Sequence, residues 1–184
     1  MDKISTLFHR SKNGRITDFY SENVLQPDLK WVATEKLDGV NIRLTVRSGT
    51  LVRLEVRDTP SSKQKENGIF YPWYRDANPK NWRDSHYWLW NAAENTNLSG
   101  VPDGEWSGEA VGPNIQGNSL QLDKNVVYLF SLIPWRDTLA SSVLIPPVVE
   151  RVPVTYDELE EWLPHQKSLV NSNVNIEGIV WWFY

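Results

Sequence analysis

Cysteine is absent from this chain of 184 residues, and with it every disulfide and every thiolate metal site. That absence is compatible with a reducing cytoplasm. No apolar run is long enough to cross a membrane, and the opening residues Met1-Asp2-Lys3-Ile4-Ser5-Thr6 lack the apolar segment of a secretory leader. The expectation is therefore a cytoplasmic protein with no membrane partner. An excess of positive charge is missing too: 19 Lys+Arg stand against 23 Asp+Glu, for a formal net charge of -4. Chains that hold nucleic acid by bulk attraction are usually basic, so a nucleic-acid substrate here would need a local basic groove. There is no biased or repeated segment, and the length suits one domain over 1–184 with a core of its own.

Tryptophan, by contrast, is plentiful at 10 residues. Its large flat ring serves a core, an interface or a base-stacking site equally well, so the number alone favours none of them.

The chain is organised around Glu35-Lys36-Leu37-Asp38-Gly39-Val40-Asn41, where a lysine sits between two carboxylates just before a glycine. Trp31 to Thr34 is apolar and β-prone, and delivers Lys36 at its end. Val40, Ile42, Leu44 and Val46 then alternate with Asn41, Arg43, Thr45 and Arg47, the period of a half-buried strand. After a turn at Ser48-Gly49-Thr50, Val52, Leu54 and Val56 alternate with Arg53, Glu55 and Arg57, which predicts an antiparallel hairpin. Asn41 and Arg57 fall on its polar phase near the two outer ends, on the side of Lys36.

Elsewhere, Asn13-Gly14 marks a turn within the basic segment His9 to Arg15, which reads as a solvated turn or a phosphate-contacting arm. Asp58 to Lys80 reads as loop. Trp82 to Ala93 reads as a helix whose aromatics enter the core. Glu105 to Asn118 reads as a carboxylate-bearing strand running into a glycine-rich loop, and Val126 to Ile133 as a central apolar strand. Thr155-Tyr156-Asp157-Glu158 has capping-box spacing for a helix that Pro164 stops. Ile176 to Trp182 reads as a last strand that begins with an acid. The class is α+β, with antiparallel strands, flanking helices and no βαβ rhythm.

A lysine amine attacks only when uncharged, and attack on phosphorus also needs the phosphate charge neutralised. Mg²⁺ keeps several waters, so scattered single carboxylates suffice to hold its hydration shell. Glu109 and Glu177, each beside a glycine, suit that task, and Phe130 offers a face to an adenine. Taken singly, each has an ordinary alternative: Lys36 paired with Glu35 or Asp38, the two acids as solvated strand ends, Phe130 as a core ring.

Order and spacing shift that balance. Trp31 to Asn41 resembles motif I of the covalent nucleotidyltransferases, a superfamily of ligases and capping enzymes, and within it the RNA ligase 2-like branch. Gly108-Glu109-Ala110-Val111-Gly112-Pro113-Asn114-Ile115-Gln116 resembles motif III of that branch, Tyr128-Leu129-Phe130 motif IIIa, and Glu177-Gly178-Ile179-Val180 motif IV; Arg57 falls where motif Ia places its arginine. The resemblance implies a nucleotidyltransferase (adenylation) domain acting as an ATP-dependent RNA ligase with Mg²⁺ or Mn²⁺. In it Lys36 would take AMP from ATP as a lysyl-adenylate and pass it to the 5′-phosphate of an RNA, which a 3′-hydroxyl would then seal, as in RNA repair. Glu35, Gly39, Asn41, Arg57, Glu109, Phe130 and Glu177 would bind the nucleotide, Glu109 and Glu177 also holding metal waters. Glu35 would present its backbone to the adenine edge and Phe130 would stack on the ring. A monomer in a bacterial or phage-infected cytoplasm suits this type.

One departure stands out. The family follows motif IV with a strand bearing two lysines, whereas here Glu177 is followed by Trp181-Trp182-Phe183-Tyr184. Three expectations are open: a chain cut short before that strand, a substitute cation such as Arg43 or Lys167, or impaired activity. A separate C-terminal domain is also not expected. The alternatives to the ligase are a nucleotide- or RNA-binding module without turnover, and a DNA ligase or capping enzyme.

Overall fold

The chain is described by a computed structural model over residues 7–11, 13, 15–21, 31–80 and 82–183. Its strands and helices are β1 (Phe8–Arg10), β2 (Ile16–Tyr20), β3 (Trp31–Glu35), β4 (Val40–Arg47), β5 (Thr50–Asp58), α1 (Ser62–Glu66), β6 (Trp73–Asp76), α2 (Ser85–Glu94), β7 (Gly104–Val111), β8 (Val126–Tyr128), α3 (Tyr156–Trp162) and β9 (Ile179–Phe183). The expected α+β class with antiparallel sheets and flanking helices is what forms.

The alternation in β4 sets up the main sheet, in the order β6-β5-β4-β7-β8 with every pair antiparallel. Ile42, Leu44 and Val46 are wholly buried on one face, where they meet Leu54 and Val56 of β5 and Leu89, Ala92 and Ala93 of α2. Side chains of alternate residues leave a strand on opposite faces, so Asn41 and Arg43 of β4 share the other face with Glu55, Arg57, Ser107 and Glu109. The register places Asn41 opposite Glu109, Arg43 between Glu55 and Ser107, and Arg57 opposite Tyr74. The predicted hairpin turns at Ser48 and Gly49, both at positive φ (48° and 70°).

β3 and β9 form a second, two-stranded ladder in which Glu35 is opposite Ile179. The proline-rich connection runs along the free edge of β3: Val149 N–H donates to Ala33 O and Glu35 N–H to Pro147 O, both at 2.9 Å. Thr34 and Glu35 are thereby enclosed from both sides. β1 and β2 form a hairpin closed by Ser11 N–H to Arg15 O at 2.8 Å, in keeping with the turn expected there, although Lys12 and Gly14 lie outside the described residues, as do Met1 to Thr6 and Tyr184. No helix among the described residues is long and apolar enough to cross a membrane.

Several expectations are corrected. The apolar run from Val126 is strand only through Tyr128, and it lies at the sheet edge; β4 is central. From Phe130 the backbone coils into a 3₁₀ segment to Thr138, because Leu129 N–H turns away to Leu144 O (2.8 Å) and the Ser131 hydroxyl takes over both polar groups of Ser107 (2.8 and 3.0 Å). The segment read as loop contains α1, opened by a Ser61/Gln64 capping box, and the edge strand β6. α2 starts three residues later than expected, behind Asp84, whose carboxylate accepts from His86 N–H; Trp82 is left outside it and largely exposed, and Tyr87 also faces solvent. At α3 the Thr155 hydroxyl donates to the Glu158 carboxylate instead of accepting from the backbone, and Pro164 lies in a 3₁₀ turn that follows the helix. β9 begins at Ile179, so Glu177 precedes the strand.

Candidate active site

Lys36 is the residue after β3, at the point where the small ladder meets the end of the large sheet. Its N–H donates to Gly178 O at 2.9 Å, which fixes the two chain segments side by side. The carboxylate of Glu177 is thereby brought against Lys36 Nζ, and the two form an ion pair, both sides half exposed. Gly39 turns the chain into β4 so closely against β7 that its Cα faces Ala110 O. Its N–H faces the Glu109 carboxylate and favours the charged form.

These contacts surround a cavity of about 270 Å³ lined by Thr34, Glu35, Lys36, Leu37, Asn41, Arg57, Glu109, Phe130, Pro146, Val180 and Trp182. That is close to the lower end of the roughly 300–1,000 Å³ usual for small-molecule sites. Of the residues singled out in the sequence, Glu35, Lys36, Asn41, Arg57, Glu109 and Phe130 line it, while Glu177 and Gly39 are held to it through Lys36 and Glu109. The two cations considered as substitutes for a following lysine pair are elsewhere. Arg43 is taken by Glu55 at 2.7 and 2.9 Å, and Lys167 donates to Asn175 Oδ1 at 2.8 Å; neither lines the cavity. A larger, open groove of about 580 Å³ along α3 contains none of the predicted site residues.

The apolar wall is built from two rings. Phe130 is stacked on Trp182, with centroids 5.5 Å apart and planes 22° from parallel, and Trp182 is anchored by Nε1–H to Thr34 Oγ1 at 2.8 Å. Glu35 is buried; its Oε2 accepts from Leu169 N–H at 2.8 Å, Oε1 has no hydrogen-bond partner among the described residues, and its own N–H donates to Pro147 O. Tyr74 and Trp182 carry no signal in the motif pattern. Tyr74 donates its hydroxyl to Asn41 Oδ1 at 2.8 Å, and a β6 strand opposite Arg57 was the register that could have found it.

Glu109 has the strongest electrostatic signature. Burial pushes its carboxyl up to about 7 from an ordinary 4.5, against the pull of Arg57, Lys36 and the Gly39 N–H and with a push from Glu177. A folded-state value above the unfolded one means that the native protein binds the proton more tightly. Its contribution to stability is full below pH 4.5 and is lost as pH rises through 7. Urea unfolding is expected to show about 2–3 kcal/mol less stability at pH 8 than at pH 5 from this one group. Glu109→Gln should flatten that difference; an equal slope in both proteins would place the proton elsewhere.

A divalent cation fits the acids here in one way. No cluster of three or more His, Cys, Asp or Glu side chains suited to a metal occurs among the described residues. Glu109 and Glu177 are two carboxylates that sense each other across Lys36, which suits a cation held through its waters. Such an ion would displace the proton from Glu109.

No protein-family model matches the sequence, and no curated protein matches it. Solved structures do. A variant of the Naegleria gruberi RNA ligase with AMP and Mn superposes on 83% of this chain at a TM-score of 0.51 and 19% identity, and a second variant, also with AMP and Mn, on 83% at 0.50 and 18%. This chain shares its fold with part of those RNA ligases. It spans about half the length of those ligases, covering 46% of each.

Proposed function

We propose that this nucleotidyltransferase-fold chain is the adenylyl-transferring part of an ATP-dependent RNA ligase, with Lys36 as the nucleophile. The observation that carries it is the convergence of Lys36, Asn41, Arg57 and Glu109, from the end of β3 and from β4, β5 and β7, on one cavity walled by stacked aromatics.

In this reading the nucleotide base lies against the Phe130–Trp182 wall, and its phosphates extend toward Lys36 and Arg57. Lys36 Nζ gives up a proton to bulk water, leaves Glu177 and forms a bond to the α-phosphorus as the bond to the β-phosphate oxygen breaks and pyrophosphate departs. Arg57 and the amide N–H groups of Asn41 hold the phosphate oxygens whose charge grows in that step. Mg²⁺ or Mn²⁺ would add charge neutralisation through waters on Glu109 and Glu177. An RNA 5′-phosphate oxygen then attacks the same phosphorus, the N–P bond breaks and Lys36 recovers its proton. Finally a 3′-hydroxyl attacks the activated 5′-phosphate and AMP leaves, sealing the strand.

The test is incubation of the chain with ATP labelled at the α-phosphate and Mg²⁺ or Mn²⁺, followed by denaturing electrophoresis. A protein-bound label is the expected result, and none under either metal would overturn the reading. One observation favours a second one, nucleotide binding without turnover: Lys36 and Arg57 are the cations that line the cavity among the described residues. Reversible ATP binding without a covalent label would decide for it. Nicked RNA, nicked DNA and GTP offered side by side separate the RNA ligase from a DNA ligase or capping enzyme.

A further inference from the structure

The sheet face that carries Asn41, Arg57 and Glu109 continues past the cavity into side chains with no part in the chemistry above. Tyr74 of β6 is one of them. Its hydroxyl donates to Asn41 Oδ1 at 2.8 Å and lies 3.4 Å from Ser107 Oγ. Its ring lies under the Arg43 guanidinium, whose Cζ is 4.5 Å from the centroid. Arg43 is itself held: Nε and Nη2 bond the two oxygens of Glu55 at 2.7 and 2.9 Å, a two-pronged pair, and Glu55 is only 2% exposed. The ring of Tyr74 is therefore fixed from one side, and its hydroxyl is committed to one acceptor.

That commitment decides which end of Asn41 faces the cavity. A carboxamide offers an oxygen that accepts and an NH₂ that donates, and phosphate oxygens can be met only by the NH₂. A freely turning carboxamide would present its oxygen to the anion in half of its orientations. With Oδ1 bound to Tyr74, the donor end is the one left for the cavity that Asn41 lines together with Arg57 and Lys36.

We propose that Tyr74 is a positioning residue for the phosphate: its hydroxyl, braced by the Arg43–Glu55 pair, fixes the Asn41 carboxamide with NH₂ toward the α-phosphate of the nucleotide. This rests on the adenylyl-transfer reading. It makes the chain Glu55–Arg43–Tyr74–Asn41 a support for the site built across β4, β5 and β6, and gives the edge strand β6 a function.

The test is the rate of covalent labelling by ATP in wild type, Tyr74→Phe, Asn41→Ala and the double variant. Tyr74→Phe keeps the ring under Arg43 and removes only the hydroxyl. It should slow labelling at saturating ATP about tenfold, equal to about 1.4 kcal/mol of barrier. The ATP concentration giving half the maximal rate should move less than about threefold, since an interaction that matters mainly in the transition state leaves substrate binding nearly unchanged. In the Asn41→Ala background the same substitution should change nothing further, because no carboxamide remains to be held. A wild-type rate in Tyr74→Phe overturns the inference, and so does an equal loss in the Asn41→Ala background, which would mark a purely structural role. Should Tyr74→Phe melt early, the cycle still decides, since a folding defect carries over into the double variant. If wild type takes no label, the adenylyl-transfer reading falls and this inference with it. If wild type is labelled and Tyr74→Phe matches it, only the inference falls.

Discussion

Lys36→Ala is expected to abolish the covalent label from ATP down to background. No partial loss is expected, because the bond in question is made by the atom removed. The position is permissive for the fold: the side chain is about half exposed, and its ion pair with Glu177 is similarly open to solvent. Exposed pairs of this kind contribute roughly 0–1 kcal/mol, so the variant should fold and melt close to wild type. Lys36→Arg sharpens the test. Arginine retains the charge and can still reach Glu177, but its guanidinium stays protonated at any ordinary pH and does not attack phosphorus. Both variants should lose the label while Lys36→Arg keeps measurable affinity for ATP. Label persisting on Lys36→Ala would assign the attachment to another residue. Added pyrophosphate should strip the label from wild type as ATP, since the step runs between bonds of similar energy.

Much of the site was legible in the sequence because its residues sit on regular strands. The period-two pattern of Val40 to Arg47 and Val52 to Arg57 dictates which side chains share a face, so Asn41 and Arg57 could be placed together from spacing alone. The same rule applied to Glu105 to Val111 put Glu109 on that face once β7 paired with β4. What the pattern could not give was anything decided by non-local pairing. β6 is four residues long, set in a stretch rich in proline, glycine and asparagine, and exists only because β5 offers it an edge; Tyr74 was hidden with it. Val126 to Ile133 is apolar but for Ser131, and a nearly continuous apolar run reads alike as strand or buried coil. Ser131 decides the matter by bonding Ser107 across the chain, which no local propensity encodes. Trp182 belongs to the same class: its ring reaches Phe130 because β9 pairs with β3 rather than with the large sheet.

Gly39→Ala is expected to be among the most damaging single-methyl changes at the described residues. A Cβ built on Gly39 would lie 2.2 Å from the carbonyl oxygen of Ala110 and 2.7 Å from Val111 Cγ1. The backbone there is not in a left-handed conformation, so the constraint is the approach of two strands and not the torsion angle. Neither neighbour can step aside cheaply. Ala110 is paired with Val40 in the ladder and Val111 is packed at 1% exposure, so relief must come from parting β4 and β7 at their outer end. Overpacking a core usually costs about 1–3 kcal/mol, and a clash against backbone falls at or beyond the top of that range, about 3–5 kcal/mol. Gly68→Ala is the control, since nothing lies within 4 Å of its Cβ and only its φ of +83° is unfavourable; it should cost about 1 kcal/mol. The damage at Gly39 should also reach the chemistry, because its N–H favours the charged Glu109 carboxylate and its position sets the span from Lys36 to Asn41. Urea unfolding together with labelling by ATP at a temperature where the variant is folded separates the two effects. A Gly39→Ala protein as stable as Gly68→Ala and labelled as fast as wild type would show that β4 and β7 part freely, and that this close approach is not what holds Lys36 against Glu109.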